Sequence, residues 1–201
     1  VNYKGANSGL TEIASREKAL VKDLGFGLIN LHDHMNIINN KVLSSGVEEM
    51  IGKDRIHPNS RGAYVIAYNV IKHWFPDSGL VANVEIDASN GTFKVENATV
   101  KEVKASNGEV SYYYTPKALP WYYGYNYQQT EASGYLNITD ELNREIIKVT
   151  GLEASTTYTI KFNGEKVTTA TGAQLEAGVN IATLATNPGQ IASKAVYDNI
   201  D

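Results

Sequence analysis

The sequence contains no cysteine, so disulfide bonds and thiolate metal ligands are excluded. It also lacks any apolar run of the ~20 residues that a membrane-spanning helix needs, and no membrane span is predicted. Lysine and arginine form no cluster and the formal net charge is −4, so nucleic acid is not an expected partner. The 201 residues, of which 42% are hydrophobic and 20% charged, suffice for one large domain or two small ones.

The first part of the chain has the periodicity of helices. Its apolar residues recur at helical spacing in three segments, and one short apolar run between them is typical of a buried parallel strand. Asn59 or Ser60 can cap the last helix, which has the longest apolar stripe. The pattern predicts helices over residues 10–24, 33–43 and 61–74, and a strand over residues 26–31.

After residue 80 the period changes from helical to alternating. Ala82, Val84 and Ile86 alternate with polar residues, and the dipeptide Asn163-Gly164 is a strong signal for a two-residue hairpin. A short helical turn is expected over 173–177 and a closing helix over 191–197. The change of period predicts two domains, comprising residues 1–78 and 79–201.

The first domain has too few strands to be closed. A single parallel strand cannot pair its backbone N–H and C=O groups by itself. Residues 1–80 are therefore expected to be the last βα portion of a sheet whose other strands lie on a segment outside this sequence. Val1 is not an initiator residue, so the natural protein is expected to begin upstream of it.

The segment Asp54-Arg55-Ile56-His57-Pro58-Asn59, directly before the clearest helix, carries the chemical signal. This Asp-x-x-His-Pro block, followed by a helix rich in small residues, resembles the end of the catalytic domain in SGNH (GDSL-type) hydrolases. The resemblance implies that His57 is the general base of a Ser-His-Asp triad. It also implies that Asp54 orients the imidazole and fixes its tautomer.

The second domain extends the resemblance. An ordered set of segments is similar to the β-rich C-terminal extension of certain bacterial SGNH esterases: 142–145, 149–152, 158–160, 163–164 and 178–182. The expected fold is therefore α/β, the last βα portion of a flavodoxin-like three-layer sandwich, followed by an all-β, sandwich-like accessory domain. The expected activity is the hydrolysis of carboxylic esters without a cofactor, and O-acetylated carbohydrate is a candidate substrate.

The nucleophile and the oxyanion-hole residues of the family are not found in this sequence. The family carries its serine in a Gly-Asp-Ser block, whereas Ser15, Ser44, Ser45 and Ser60 lack a glycine-flanked strand-to-helix setting. The chain by itself is therefore expected to be inactive. Its expected partner is a missing N-terminal segment of the same protein that carries the nucleophilic serine.

An aromatic-rich segment between the two matched regions suggests a place for the substrate. Trp121, Tyr122 and Tyr123 are candidates for binding an ester or a glycan, because sugars stack on aromatic rings. The alternative is that these rings fill and rim the β domain, which suits tyrosine equally. His32 and His34 invite a metal interpretation, but two histidines are too few for a zinc site without a third ligand, and no metal site is predicted.

A different class of function competes with the esterase. The chain could be a non-catalytic carbohydrate-binding or cell-surface protein that keeps a degenerate remnant of a hydrolase. Its β domain would then recognise the glycan, and the first domain would be structural. The sequence leaves the localisation open, and a secreted or cell-envelope protein is compatible with either function.

Overall fold

The structure is a computed structural model that describes residues 5–44, 57–75, 79–122 and 134–200. The chain divides into two compact units, of which the first comprises Val1–Ser78 and Tyr125–Asn137 and the second Gly79–Gly124 and Ile138–Asp201. The sequence-based division also falls after residue 78, but it places 125–137 in the second domain. Helices and several small sheets together make this a mixed α/β protein.

Three helices form the described part of the first unit: α1 (Ala6–Leu24), α2 (Leu31–Ser44) and α3 (Ser60–Trp74). All three were predicted from periodicity and are confirmed. Gly25 ends α1 in the left-handed conformation, with its N–H bonded to the carbonyl of Lys22. None of the helices described is both long enough and apolar enough to cross a membrane.

The predicted parallel strand over residues 26–31 is wrong. Residues 26–30 form no strand in the structure, and Leu31 already begins α2. Asn30 supplies the reason, because its Oδ1 accepts a hydrogen bond from the N–H of Asp33 at 3.2 Å, as a helix N-cap does. An extended segment also needs a neighbouring strand, and the described residues of this unit contain none.

The first unit has a small core and a large exposed apolar face. Ile38 and Val65 are buried between α2 and α3. The apolar side chains of α1, in contrast, are 52–58% exposed: Leu10, Ile13, Leu20 and Leu24. They lie within an arc of about 80° on the helix surface, as the side chains of a core-facing stripe do.

The second unit is built on strands. These are β1 (Leu80–Asp87), β2 (Phe93–Glu96), β3 (Ala98–Ser106), β4 (Glu109–Pro116), β5 (Arg144–Thr150), β6 (Thr157–Phe162), β7 (Glu165–Thr171) and β8 (Val179–Asn180). The described residues of this unit also form the helices α4 (Ile138–Leu142), α5 (Gly172–Ala177) and α6 (Pro188–Tyr197). The strands form a four-stranded sheet in the order β2-β1-β5-β8 and the two hairpins β3-β4 and β6-β7.

Local signals of the second unit are confirmed, whereas its global layout was predicted wrongly. Asn163 and Gly164 both have positive φ, 51° and 85°, in the two-residue turn between β6 and β7. The unit is nevertheless not all-β, because it contains three helices. Nor is it purely antiparallel, because the two central strands, β1 and β5, pair in parallel. A parallel pair needs a long connection, and here that connection includes β2, the β3-β4 hairpin and α4.

Two apolar clusters join the hairpins to the four-stranded sheet. Val84 and Ile86 of β1 pack with Val100 of β3, and Ile147 and Val149 of β5 pack in a second cluster. The second cluster also contains these residues from the other elements: Ala170, Leu175 and Ile181. The partly buried Val110 of β4 packs against both clusters, so both hairpins contribute to one continuous core.

Candidate functional site

His57 lies at the entrance to the best-anchored helix of the first unit. Its side chain is exposed, and it stands two residues before the helix cap. Asn59 is that cap, because its side-chain Oδ1 accepts a hydrogen bond from the N–H of Gly62 at 3.0 Å. The next turn is held by the buried Val65, which is 0% exposed. The imidazole thus stands on a fixed helix entrance and remains accessible to solvent.

Asp54, the partner predicted for the imidazole of His57, lies outside the described residues, so the Asp54–His57 pair stays a prediction. Ser45 also lies outside them. Two of the serines that lack the setting of a nucleophile hydrogen-bond within their own helices. Ser15 Oγ donates to the carbonyl of Thr11, and Ser44 Oγ donates to that of Lys41, each at 2.8 Å. Ser60 is exposed at the first position of α3.

His32 belongs to an ion-pair cluster between α1 and α2. The carboxylate of Asp33 accepts hydrogen bonds from Lys18 Nζ at 2.5 Å and from Asn30 Nδ2 at 2.6 Å, and its Oδ1 lies 3.1 Å from His32 Nδ1. Hydrogen bonds from Lys18, Asn30 and His32, in that order, hold the pKa of Asp33 far below its usual range. The cluster links α1 to α2 and gives His32 a structural role.

His34 turns to a different set of residues. Its Nδ1 lies 2.5 Å from Oδ1 of Asn69 on α3, and its ring centroid is 5.4 Å from that of His73. His32 and His34, which the sequence presents as a pair, therefore have separate partners. Within the described ranges no group of three or more histidine, aspartate and glutamate residues could hold a metal ion.

The candidate substrate-binding rings belong to the second unit, whereas His57 belongs to the first. Trp121 is half-buried, and its backbone N–H and C=O both bond to the side-chain amide of Asn143, at 2.9 and 3.1 Å. The ring of Tyr122 lies 5.4 Å from that of Tyr197 on α6. Tyr123 lies outside the described residues. These contacts hold the segment against Asn143 and α6, and its role in substrate binding stays a prediction.

An aromatic groove that the sequence did not indicate lies between the hairpin strands β4 and β6. It has a volume of about 720 Å³, and its floor includes Ile147 and Val149 of β5. Its walls carry four half-buried aromatic side chains: Tyr112, Tyr114, Tyr158 and Phe162. The sequence does not show that β4 and β6, which belong to separate hairpins, contribute to one groove.

Beside the groove a carboxylate is buried. Glu145 is only 2% exposed, and its oxygens accept hydrogen bonds from Tyr114 Oη at 2.8 Å and from Asn187 Nδ2 at 2.6 Å. Burial, and to a lesser extent the charge of Glu145, raises the pKa of Tyr112 to about 12 and that of Tyr114 further. The carboxylate therefore fixes the groove wall rather than offering a free acid or base.

Comparisons with known proteins give a structural relative. No protein-family model and no curated protein matches the chain. Among solved structures, the chain is similar to a gut microbial diltiazem-metabolizing enzyme, with 26% identity and a TM-score of 0.80. The match covers 97% of this chain and 46% of that one, so the chain spans about half the length of its structural relative.

Proposed function

We propose that this chain is part of a carboxylic ester hydrolase in which His57 is the general base. One observation carries the proposal, namely the structural match to a diltiazem-metabolizing enzyme, which covers 97% of the chain. Diltiazem contains an acetate ester, the kind of bond that a serine esterase cleaves. The exposed imidazole of His57 at the entrance of a well-anchored helix supports the same reaction, because a general base must reach its substrate.

The proposed enzyme works as a Ser-His-Asp hydrolase. His57 accepts the proton of the serine hydroxyl while the serine oxygen attacks the ester carbonyl, and it then gives the proton to the departing alcohol. Water enters next and attacks the acyl carbonyl while His57 takes its proton; His57 then returns the proton to the serine oxygen as the acyl–serine bond breaks and the carboxylic acid leaves. Asp54 holds the ring in the correct tautomer and stabilises the imidazolium. The mechanism needs no metal and no cofactor.

We further propose that the serine and the rest of the catalytic domain, with the layered sandwich of SGNH hydrolases, belong to another part of the same protein. The exposed apolar stripe of α1 supports this, since side chains such as Leu20 and Leu24, each 58% exposed, are normally covered in a finished domain. The half-length match to the structural relative supports it as well.

The test is ester hydrolysis by the longer protein that contains this chain. With p-nitrophenyl acetate we expect His57→Ala to lower kcat/KM by at least about 100-fold, because general-base assistance contributes roughly 10²–10⁴-fold. His32→Ala is the matched control and should keep the wild-type rate, because His32 serves the α1–α2 cluster. Equal rates for wild type and His57→Ala would reject the esterase.

The aromatic groove favours a second candidate function, the binding of carbohydrate. Five aromatic side chains line it, of which four are half-buried, and sugars stack on such rings. Calorimetric titration with O-acetylated and deacetylated xylo-oligosaccharides separates the two functions. Binding that is lost in Phe162→Ala, and kept in both His57→Ala and the exposed-ring control Phe93→Ala, would favour a carbohydrate-binding protein. Absence of binding to the wild-type chain would reject it.

A further inference from the structure

Two histidines on neighbouring helices lie close together, and both contact the same buried asparagine. His34 lies on α2 and His73 near the end of α3, and their ring centroids are 5.4 Å apart at an interplanar angle of 42°. Asn69, one turn before His73, is 1% exposed and contacts both rings. The arrangement is independent of His57 and of the proposed ester hydrolysis.

The hydrogen bonds of Asn69 fix the tautomer of both rings. Its Nδ2 donates to the carbonyl of Val65 at 2.8 Å, which makes Oδ1 the acceptor that faces His34 Nδ1. The backbone carbonyl of Asn69, which can only accept, lies 2.8 Å from His73 Nδ1. Both Nδ1 atoms therefore carry the hydrogen, and in the neutral rings both Nε2 atoms keep their lone pairs.

Each ring is oriented through its Nδ1–H in the way that a metal-ligating histidine is. A metal-ligating histidine almost always donates its other ring N–H to a carbonyl or carboxylate, which orients the ring. A bound zinc ion lies about 2.1 Å from the ligating nitrogen and thus about 3.2 Å from the ring centroid. Two rings that share an ion at a near-tetrahedral angle have centroids about 5.2 Å apart, close to the 5.4 Å between His34 and His73.

We propose that His34 and His73 bind one divalent transition-metal ion through their Nε2 atoms, with Asn69 orienting both rings. Imidazole selects ions such as Zn²⁺, Ni²⁺ and Cu²⁺ over Mg²⁺ and Ca²⁺, which prefer oxygen ligands. His73 is exposed and His34 half-buried, so an ion can reach the pair from solvent. The pair supplies one protein ligand fewer than an open zinc site in an enzyme has, so water or an exogenous anion fills the remaining positions and the ion exchanges with solvent.

The test uses all four histidines of the untagged chain. Isothermal titration with NiCl₂ should show one saturable site. His34→Ala and His73→Ala should each weaken Ni²⁺ binding at least about tenfold, since each removes one of the two protein ligands. His32→Ala and His57→Ala are the matched controls and should bind Ni²⁺ as the wild type does. MgCl₂ should give no saturable heat.

A spectrum of the wild-type chain tests the same proposal without any substitution, and so does not depend on whether the variants fold. With one equivalent of Cu²⁺, electron paramagnetic resonance should show hyperfine coupling to the nitrogens of two imidazoles. A spectrum without coupled imidazole nitrogen, or with only one, would overturn the proposal. The proposal is equally overturned if Ni²⁺ shows no saturable binding to the wild type, or if His32→Ala weakens Ni²⁺ binding as strongly as His34→Ala does.

Discussion

The hydroxyl of Tyr114 donates a hydrogen bond to Oε1 of Glu145 across 2.8 Å, and this bond ties the β3-β4 hairpin to the central strand β5. Asn187, just before α6, donates to the other oxygen of the same carboxylate at 2.6 Å. A carboxylate that is only 2% exposed needs such partners, because burying a charge without hydrogen bonds costs more than the roughly 2–7 kcal/mol that an unpaired amide or hydroxyl costs. Glu145 thus connects three elements of the second unit.

Replacement of Tyr114 by phenylalanine should destabilise the second unit. The change removes one hydrogen bond to a buried carboxylate and keeps the ring, so we expect a loss of about 1.5–3 kcal/mol in the free energy of unfolding. Urea unfolding followed by circular dichroism measures it. Tyr113→Phe is the control, because the adjacent Tyr113 is 67% exposed and should change the stability little. Equal effects of the two changes would contradict the role of Glu145.

Stability should fall at high pH because of Tyr112. Burial, together with the charge of Glu145, raises its pKa to about 12 in the folded chain, above the value of about 10 in an unfolded chain. The folded state therefore holds this proton more tightly. The stabilisation is complete below pH 10 and is lost as the pH rises towards about 12. Urea unfolding at pH 9, 10 and 11 should show the decline, and Tyr112→Phe should make it shallower. An unchanged slope in that variant would refute the assignment.

The cap of α3 should be worth a measurable amount of stability. Asn59→Ala removes the side-chain acceptor for the N–H of Gly62, and we expect a cost of about 1 kcal/mol in the unfolding of the first unit. Asn59→Asp keeps an acceptor at the same place and should preserve most of the stability. Amide hydrogen exchange in the first turn of α3 reports the difference locally. Equal exchange in Asn59→Ala and wild type would show that the cap does not hold the helix entrance.

Gly79, at the start of the second unit, should tolerate no side chain. It has a φ of 101°, and a Cβ atom there would lie 2.4 Å from the carbonyl oxygen of Glu141 and 2.5 Å from Cα of Leu142. We expect Gly79→Ala to cost more than about 2 kcal/mol, since backbone strain and overlap add. Gly164→Ala is the control, because Gly164 also has a positive φ but no atom within 4 Å of the added Cβ. Strain alone should cost it about 1 kcal/mol. Thermal unfolding compares the two, and equal losses would contradict the close contact.

The sequence predicted those parts of the fold that depend on neighbouring residues. The helix α3 followed from its apolar stripe and from Asn59 as cap, and the β6-β7 turn followed from Asn163-Gly164. The strand at 26–31 failed because a short apolar run suits several conformations. In the structure, the hydrogen bond from the N–H of Asp33 to Asn30 Oδ1 caps a helix that begins at Leu31.

Pairings between distant residues could not be predicted in the same way. The parallel pairing of β1 with β5 depends on a long connection that periodicity does not reveal. In the sequence, Glu145 looks like an ordinary polar residue of a strand. Its hydrogen bond with Tyr114 joins positions 31 residues apart. The His34–His73 pair likewise required the packing of α2 on α3, whereas the sequence pointed to the nearer but unrelated pair His32 and His34.

The most direct test of the proposed esterase is covalent labelling of its nucleophile. The proposed longer protein is treated with a fluorophosphonate, and intact mass and peptide mapping locate the adduct. We predict one adduct per molecule, on a serine outside these 201 residues, formed at least about 100-fold more slowly in His57→Ala because the serine then lacks its base. An adduct on a serine of this chain, the absence of labelling, or equal labelling rates in His57→Ala and wild type would contradict the proposed esterase.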